Sequence, residues 1–220
     1  MLRQSLEICK KDIRSEIRTR FALNSLLMFV IVSISVVRFS LSELSLTPEI
    51  HSGLIWIVIF FSCSSGLARV FISEEERGTS LLLKLCADTD MVFTGKILFN
   101  ISLTLVLSIF VVAFYIFVTD VVIGNFTLFM IIILSGCTGL SAAMTIVAAI
   151  ISRSSSKGNL YPVLAFPVIL PLLLSSVNGT LLSIEGADIS AASSDLVIIF
   201  SFTVVITTAS YMLFGFIWKD

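Results

Sequence analysis

The stretch ISEEERGTSLLLKLCADTDMVFTGK, from Ile72 to Lys96, is a charged interruption between two long apolar segments of the chain. It contains three consecutive glutamates, reaches a glycine at Gly78, and continues through a leucine-rich segment of about two helical turns. At Lys96 the next apolar segment begins. We interpret residues 73–96 as a loop between two membrane-spanning helices, and the segments on either side of it decide the fold.

The composition of the whole chain is that of a membrane protein. Of 220 residues, 57% are hydrophobic and 13% are charged, and the mean hydropathy is +1.08. A soluble domain carries about 25% charged residues and could not hide this much apolar surface. The net charge of −1 gives no sign of a nucleic-acid partner. The four cysteines show no metal-ligand spacing, so neither a zinc site nor a disulfide framework is indicated.

Six apolar segments are each long enough to cross a hydrocarbon core of about 30 Å. They are Phe21–Phe39, Gly53–Ile72, Ile97–Val118, Phe126–Ile151, Leu160–Val177 and Leu196–Trp218. We therefore predict an all-α integral membrane protein that forms a single membrane domain over residues 1–220, with six transmembrane helices.

The first twenty residues predict an amphipathic helix at the membrane surface. Its apolar residues fall in one stripe at about 100° per residue, and its cations flank that stripe or lie opposite it. The stripe consists of Leu2, Leu6, Cys9, Ile13 and Ile17. We favour a simple anchor whose cations lie near anionic lipid headgroups of the bilayer. The alternative is that these cations also meet the acids of the 73–96 loop.

The distribution of Lys and Arg sets the orientation. All of them except Arg38 lie before the first span, around the 73–96 loop, around residues 153–157, or at the C-terminus. The loops at the opposite ends of the spans contain no Lys or Arg; they are Ser40–Ser52, Thr119–Asn125 and Asn178–Asp195. The positive-inside rule then places both termini in the cytoplasm, which is consistent with an even number of crossings. A multi-pass protein of the bacterial inner membrane is expected, or of the mitochondrial inner membrane if the chain is organellar.

Two spans carry small residues at four-residue spacing, Ser62 with Gly66 and Gly139 with Ala143. Small side chains let helix backbones approach closely in lipid. Packing within the chain is the simpler explanation, and a homodimer interface is the alternative.

The fifth span contains Pro162, Pro167 and Pro171. Each proline removes a backbone donor and clashes with the preceding turn, so a broken helix beside a cavity is expected. A kinked packing helix and a gate or lateral cleft are both open interpretations.

Within the loop, Gly78 suits the left-handed conformation that follows a helix end, and Thr79 can cap the short leucine-rich helix. The preceding glutamates oppose the dipole of the second span, so cations should be recruited from Arg77, the N-terminal helix or a partner. Leu82 and Leu85 lie on an apolar arc that is too wide to face water. Burial in the lipid interface and docking into a groove of another protein are both open.

Sequence motifs for catalysis are missing from the chain. The pair Gly95 and Lys96 is followed by Ile97 and lacks the first glycine of a phosphate-binding loop, and there is no nucleophile elbow or HExxH helix. We expect no enzymatic activity in this chain. The only histidine, His51, cannot form a chelating pair, and we expect it to be a polar anchor at the interface rather than a haem ligand.

Together, these features resemble the haem exporter protein B family, the membrane subunit of the ABC-type system in cytochrome c maturation. The motifs that carry the resemblance run from about Gly53 to Ser176. They are Gly53-Leu54-Ile55-Trp56, Arg69 with Phe71, the acidic run, Gly78-Thr79, the leucine-rich segment, Lys96, Gly158, and Pro167 with Pro171-Leu172-Leu173. The chain departs from the family pattern at Arg77, Leu81 and Ala87, where Asp, Glu and Pro are usual.

The resemblance implies an ABC-2-type permease that pairs with a separate cytoplasmic ABC ATPase subunit. It also implies the haem-handling C component and the haem chaperone as partners, with haem as possible cargo and ATP bound by the partner subunit. Contact with the ATPase would fall on the 73–96 coupling loop, at Glu75, Gly78, Thr79, Leu82 and Leu85. The alternatives are an ABC-2 exporter of another amphiphile and a membrane assembly protein that transports nothing.

Overall fold

A computed structural model of the chain describes residues 2–19, 21–40, 46–67, 70–71, 74, 78–152 and 161–219. The described residues form helices joined by turns and loops, without strands. The helices given by the described residues follow one another in the order α1 Leu2–Thr19, α2 Phe21–Ser40, α3 Pro48–Leu67, α4 Ser80–Cys86, α5 Thr89–Thr119, α6 Phe126–Ser152, α7 Tyr161–Ile184 and α8 Ser193–Lys219. The predicted all-helical class is therefore confirmed for the described part of the chain.

Five of these helices, α3 and α5 to α8, are long and apolar enough to cross a membrane. In α2 the apolar part whose side chains are described, Asn24–Ser40, is shorter than the length such a crossing requires. The chain is thus a multi-pass membrane protein, and the sixth crossing, by α2, stays a prediction.

The centre of the bundle is α6, which packs against α3, α5, α7 and α8. Its small residues explain why four neighbours can approach it. A side chain at Gly139 would lie 2.6 Å from the Thr203 hydroxyl and 3.0 Å from Leu172, and Ala143 is fully buried. On α3, Ser62 is likewise fully buried, and a side chain at Gly66 would meet Leu26. These residues pack within the chain, as the simpler explanation predicted.

Helix boundaries differ from the prediction at two places. Helix α3 begins at Pro48, five residues before Gly53, because proline is well suited to the first turn, where its missing N–H is not needed. Helix α7 continues through Pro167 and Pro171 to Ile184, with Pro162 in its first turn. The expected broken helix is therefore wrong. Whether the prolines act as a gate stays a prediction.

The length of α5 creates the platform for the candidate site. Its 31 residues span about 46 Å at 1.5 Å per residue, which exceeds a hydrocarbon core of about 30 Å. The helix begins at Thr89, and its first turns lie at the end of the bundle where α1, α4 and the residues Val70, Phe71 and Glu74 lie. Polar and charged residues can therefore gather around these turns without crossing the apolar core.

Candidate functional site

A buried lysine, Lys96, organises the end of the bundle at which α1, α4 and α5 meet. It lies in the eighth position of α5 and is only 1% exposed. Its Nζ lies 2.9 Å from Asp12 Oδ2 and 3.0 Å from Glu74 Oε1, and it donates to the carbonyl oxygen of Val70 at 3.2 Å. A buried ammonium costs several kcal/mol unless it is paired and hydrogen-bonded. Here both conditions are met by three groups, Asp12 of α1 together with Val70 and Glu74 of the segment before α4.

The carboxylate of Glu74 is the second centre of this cluster. Besides the ammonium of Lys96, it accepts hydrogen bonds from Lys11 Nζ and from the Thr79 hydroxyl. Burial alone would raise the pKa of Glu74, but the neighbouring Lys96 charge and these hydrogen bonds outweigh it and lower the pKa from 4.5 to about 2. Glu74 is therefore ionised at every physiological pH.

Lys11 belongs to the N-terminal helix, so the cations of that helix do meet the acids of the loop. Its ammonium pairs with Glu74 and lies 3.4 Å from Asp12. Burial opposes its charged form, but the hydrogen bond to Glu74 and the two carboxylate charges raise its pKa. The alternative prediction, that cations of α1 also meet acids of the 73–96 loop, is confirmed for Lys11 and Glu74. We call Lys11, Asp12, Glu74 and Lys96 the ion cluster.

The buried face of α1 differs from the predicted apolar stripe. Ser5, Ile8 and Cys9 are buried and Asp12 is mostly buried, whereas Leu6 is 50% and Ile17 is 59% exposed. The cause is that α1 packs against α5 as well as facing the surroundings. Because Gly95 has no side chain, α1 can approach closely. A Cβ there would lie 2.8 Å from Ile8 Cβ and 2.9 Å from the Ser5 carbonyl oxygen.

An aromatic group ties the C-terminal end of α8 to the same place. The ring of Phe71 lies 5.9 Å from Lys96 Nζ and contacts Phe214 and Trp218 of α8. Phe93 of α5 also contacts Phe214. Cation–π attraction and ring packing therefore add to the ion pairs that hold this region.

The loop reaches α4 through a turn that starts at Glu74. The backbone N–H of Thr79 donates to the Glu74 carbonyl oxygen at 3.0 Å, and Gly78 has a φ of +66°. The predicted left-handed glycine is thus confirmed. Thr79 occupies the cap position of α4, but its hydroxyl bonds to Glu74 rather than to the helix. The predicted cap position of Thr79 is therefore confirmed, but its hydroxyl donates to the Glu74 carboxylate, which is the stronger acceptor, and does not bond to the helix.

Helix α4 exposes an apolar surface. Leu82 is 62% and Leu85 is 84% exposed, Cys86 is exposed, and Leu83 packs against the core. Two exposed leucines on a helix of two turns are unfavourable in water. Glu75, the remaining residue implied for partner contact, lies outside the described residues, as does Arg77.

His51 lies outside the ion cluster, in a buried position between α3 and α5. His51 is in the first turns of α3, is 8% exposed, and its Nδ1 lies 3.0 Å from the Tyr115 hydroxyl of α5. It therefore joins α3 to α5 in the interior, whereas the sequence predicted an interfacial anchor.

Sequence reasoning missed Asp12 and Val70 as partners of Lys96. Asp12 falls on the same face of α1 as Ile8 and Cys9, and an acid on an apolar face is a signal that it has a buried partner. For Val70 no local signal exists, since a carbonyl oxygen is present at every residue.

A family model described as CcmB protein matches residues 3–215. The matched range includes both α1 and the 73–96 loop, and so all four residues of the ion cluster. A search of curated proteins found no match.

Proposed function

The chain belongs to the CcmB family, and from that premise we propose that it is the permease subunit of an ABC-type complex in which a separate subunit hydrolyses ATP. Membership of this family makes the chain a multi-pass membrane component of haem export in cytochrome c maturation, acting with other proteins of that system. The finer proposal is that ATP hydrolysis is coupled through α4 to haem delivery, or to release of a haem-loaded chaperone.

The observation that carries this proposal is that α4 exposes an apolar surface while the residue at its start is joined to α5 through Glu74. Leu82 and Leu85 offer a surface that an apolar groove of a partner would cover. Immediately before this helix, Thr79 is bonded to Glu74, and Glu74 is bonded to Lys96 of α5. In this proposal a displacement of α4 is passed to α5 through the Thr79–Glu74 hydrogen bond and the Glu74–Lys96 ion pair, and through α5 to the helices packed on it.

The proposal assigns ATP binding to the partner because this chain lacks a phosphate-binding loop. It assigns α4 to the cytoplasmic side because the Lys and Arg residues cluster around the 73–96 loop and the termini. The partners expected on this basis are a cytoplasmic ABC ATPase subunit, the haem-handling C component and the haem chaperone. Haem is then cargo of the complex.

Leu82→Asp and Leu85→Asp test the proposed contact with the ATPase subunit. Both side chains are exposed, so the fold should survive, while a buried carboxylate in the groove should weaken co-purification of the ATPase subunit at least ten-fold. Asp88→Asn, at an exposed position next to α4, is the matched control and should leave co-purification unchanged. Normal co-purification and normal cytochrome c maturation in both leucine variants would contradict the proposal.

The cargo is tested separately. The complex is isolated in mild detergent through this chain, and bound haem is measured by absorption spectroscopy with and without ATP. Haem that appears only with the ATPase subunit present supports the coupling proposal. An ATPase partner recovered without haem, in cells whose cytochrome c matures normally without the chain, would favour export of another amphiphile.

A further inference from the structure

The outward side of α1 has a composition that packing on α5 does not explain. Ser5, Ile8 and Cys9 face the protein, while Arg3, Lys10 and Arg14 are exposed. The side chain of Lys10 is 73% exposed. An exposed face of this kind is available to a ligand or surface outside the chain.

The three cations form a single row. At about 100° per residue, positions 3, 10 and 14 fall within about 40° of one another on the helix surface. The exposed acid nearest to them is Glu7, whose carboxylate lies 3.6 Å from Lys10 Nζ. A row of three cations with one adjacent acid remains positive, and guanidinium groups in a row suit phosphate oxygens. We call Arg3, Lys10 and Arg14 the basic row.

An apolar flank runs beside the basic row. Leu6 and Ile17 are 50% and 59% exposed, and their directions lie about 50° from the centre of the row. An acidic protein surface would match the cations but would leave these two side chains in water. A lipid surface matches both, because its headgroups take the charge and its acyl chains take the apolar side chains.

The position of α1 in the fold agrees with such a surface. The helix ends at Thr19, and the apolar helix α2 begins at Phe21. Its other face is fixed against α5 through the close contact at Gly95. The basic row therefore lies on the helix that leads directly into α2, and the membrane boundary lies at the start of α2 if α2 enters the bilayer.

From this geometry we propose that the basic row of α1 is a binding site for anionic phospholipid headgroups, with Leu6 and Ile17 placed among the first methylenes of the acyl chains. The phosphate is held by Arg3, Lys10 and Arg14. The site is separate from the ion cluster, since Lys11 and Asp12 point to the protein side. It does not depend on the proposed contact between α4 and an ATPase subunit.

The expected strength follows from the charges. A Lys or Arg near an anionic surface contributes roughly a five-fold gain in affinity, corresponding to about 1 kcal/mol. Three cations should raise the affinity for an anionic lipid on the order of a hundred-fold. Because Glu7 partly pairs with Lys10, the expected gain in affinity falls toward about ten-fold. Added salt should weaken the binding because the row is exposed to solvent.

The test uses the full chain purified in detergent and titrated with phosphatidylglycerol or phosphatidylcholine, with bound lipid counted by native mass spectrometry. Wild type should bind phosphatidylglycerol at least ten-fold more tightly. The triple variant Arg3→Gln, Lys10→Gln, Arg14→Gln should lose that preference, and the charge-preserving variant Arg3→Lys, Lys10→Arg, Arg14→Lys should keep it.

Circular dichroism and thermal unfolding establish that the variants fold alike. If the triple variant fails to fold, Arg14→Gln alone should still weaken phosphatidylglycerol binding about five-fold. Equal affinity of wild type for the two lipids overturns the proposal. So does an unchanged phosphatidylglycerol preference in a folded triple variant, and if that variant also loses a co-purifying protein, the row is assigned to a protein partner instead.

Discussion

Replacing Lys96 with methionine should destabilise the chain by about 3 kcal/mol, because it leaves two carboxylates buried without their shared ammonium. Methionine keeps much of the apolar volume, so the change removes charge rather than packing. The ammonium lies 2.9 Å from Asp12 and 3.0 Å from Glu74. Lys11, whose side chain is 48% exposed, stays beside both acids and limits the loss.

The lowered pKa of Glu74 gives a similar magnitude for the contribution of this cluster to the free energy of unfolding. The pKa of Glu74 is lowered from 4.5 to about 2, and its side chain is only 9% exposed. A difference of about 2.5 pKa units between unfolded and folded chain corresponds to about 3 kcal/mol, since each unit is worth about 1.36 kcal/mol. The two magnitudes agree, although the second includes the hydrogen bonds from Lys11 and Thr79.

The pH dependence has a defined sign. A carboxyl whose pKa is lowered by folding stabilises the protein above its unfolded pKa, here 4.5, and this contribution is lost as the pH falls toward 2. Wild type should therefore lose about 3 kcal/mol of unfolding free energy over that range from Glu74. In Lys96→Met the loss should be smaller, because the folded pKa of Glu74 moves back toward its ordinary value.

The assay is thermal unfolding of the detergent-solubilised chain, followed by circular dichroism at several pH values, with proteolysis of the 73–96 loop as a second readout. Lys10→Met is the matched control, because this lysine is 73% exposed and pairs with an exposed glutamate. Its effect should stay below about 0.5 kcal/mol. A double-mutant cycle with Glu74→Gln should give a coupling of about 1–3 kcal/mol. Wild-type stability and an unchanged acid profile in Lys96→Met would refute this reasoning.

Three further predictions concern packing and backbone. Gly95→Ala should cost about 1–3 kcal/mol and release α1 to proteases, since its Cβ would lie 2.8 Å from that of Ile8; an unchanged cleavage pattern would contradict the close contact. Gly78→Ala should cost about 1–2 kcal/mol in unfolding experiments because φ is +66°, and Gly78→Asn should cost less; equal effects would exclude backbone strain. Trp56→Phe should cost about 1–2 kcal/mol in thermal unfolding, as the indole N–H donates to the Thr180 hydroxyl at 2.9 Å; full recovery in the double variant with Thr180→Val would support this, and no loss in Trp56→Phe would refute it.

Local pattern predicted the helices well and their ends less well. The apolar segments located α5, α6 and α8, because length and hydropathy are properties of each segment alone. Pro167 and Pro171 misled the prediction for α7, since a proline costs less in a helix whose neighbours surround it than in an isolated one. Pro48 was available as a start signal for α3 and explains why that helix begins before its apolar segment does. Asp88 occupies the cap position of α5, without a side-chain hydrogen bond to the helix.

The ion cluster could be predicted only in part. The three acids before Gly78 indicated that cations would be recruited, and Lys11 is one of them. Lys96 was counted among the cations that fix orientation, as if it faced water, yet it is 1% exposed. Its burial depends on α1 covering it, and this contact joins residues far apart in sequence. Periodicity within α1 identifies an apolar face but does not tell whether protein or lipid covers it.

The two sides of α1 connect the proposed lipid site to the proposed partner surface. The basic row faces outward, while on the other side Lys11 pairs with Glu74 and Asp12 pairs with Lys96. Thr79, at the start of α4, is bonded to the same Glu74. If lipid and ATPase subunit both favour this arrangement, each must change the affinity of the other by the same factor. Lys96→Met should leave both binding reactions possible but bring that factor close to one. A wild-type factor of one would show that the two surfaces are independent, and an unchanged factor in Lys96→Met would show that the ion cluster does not carry the coupling.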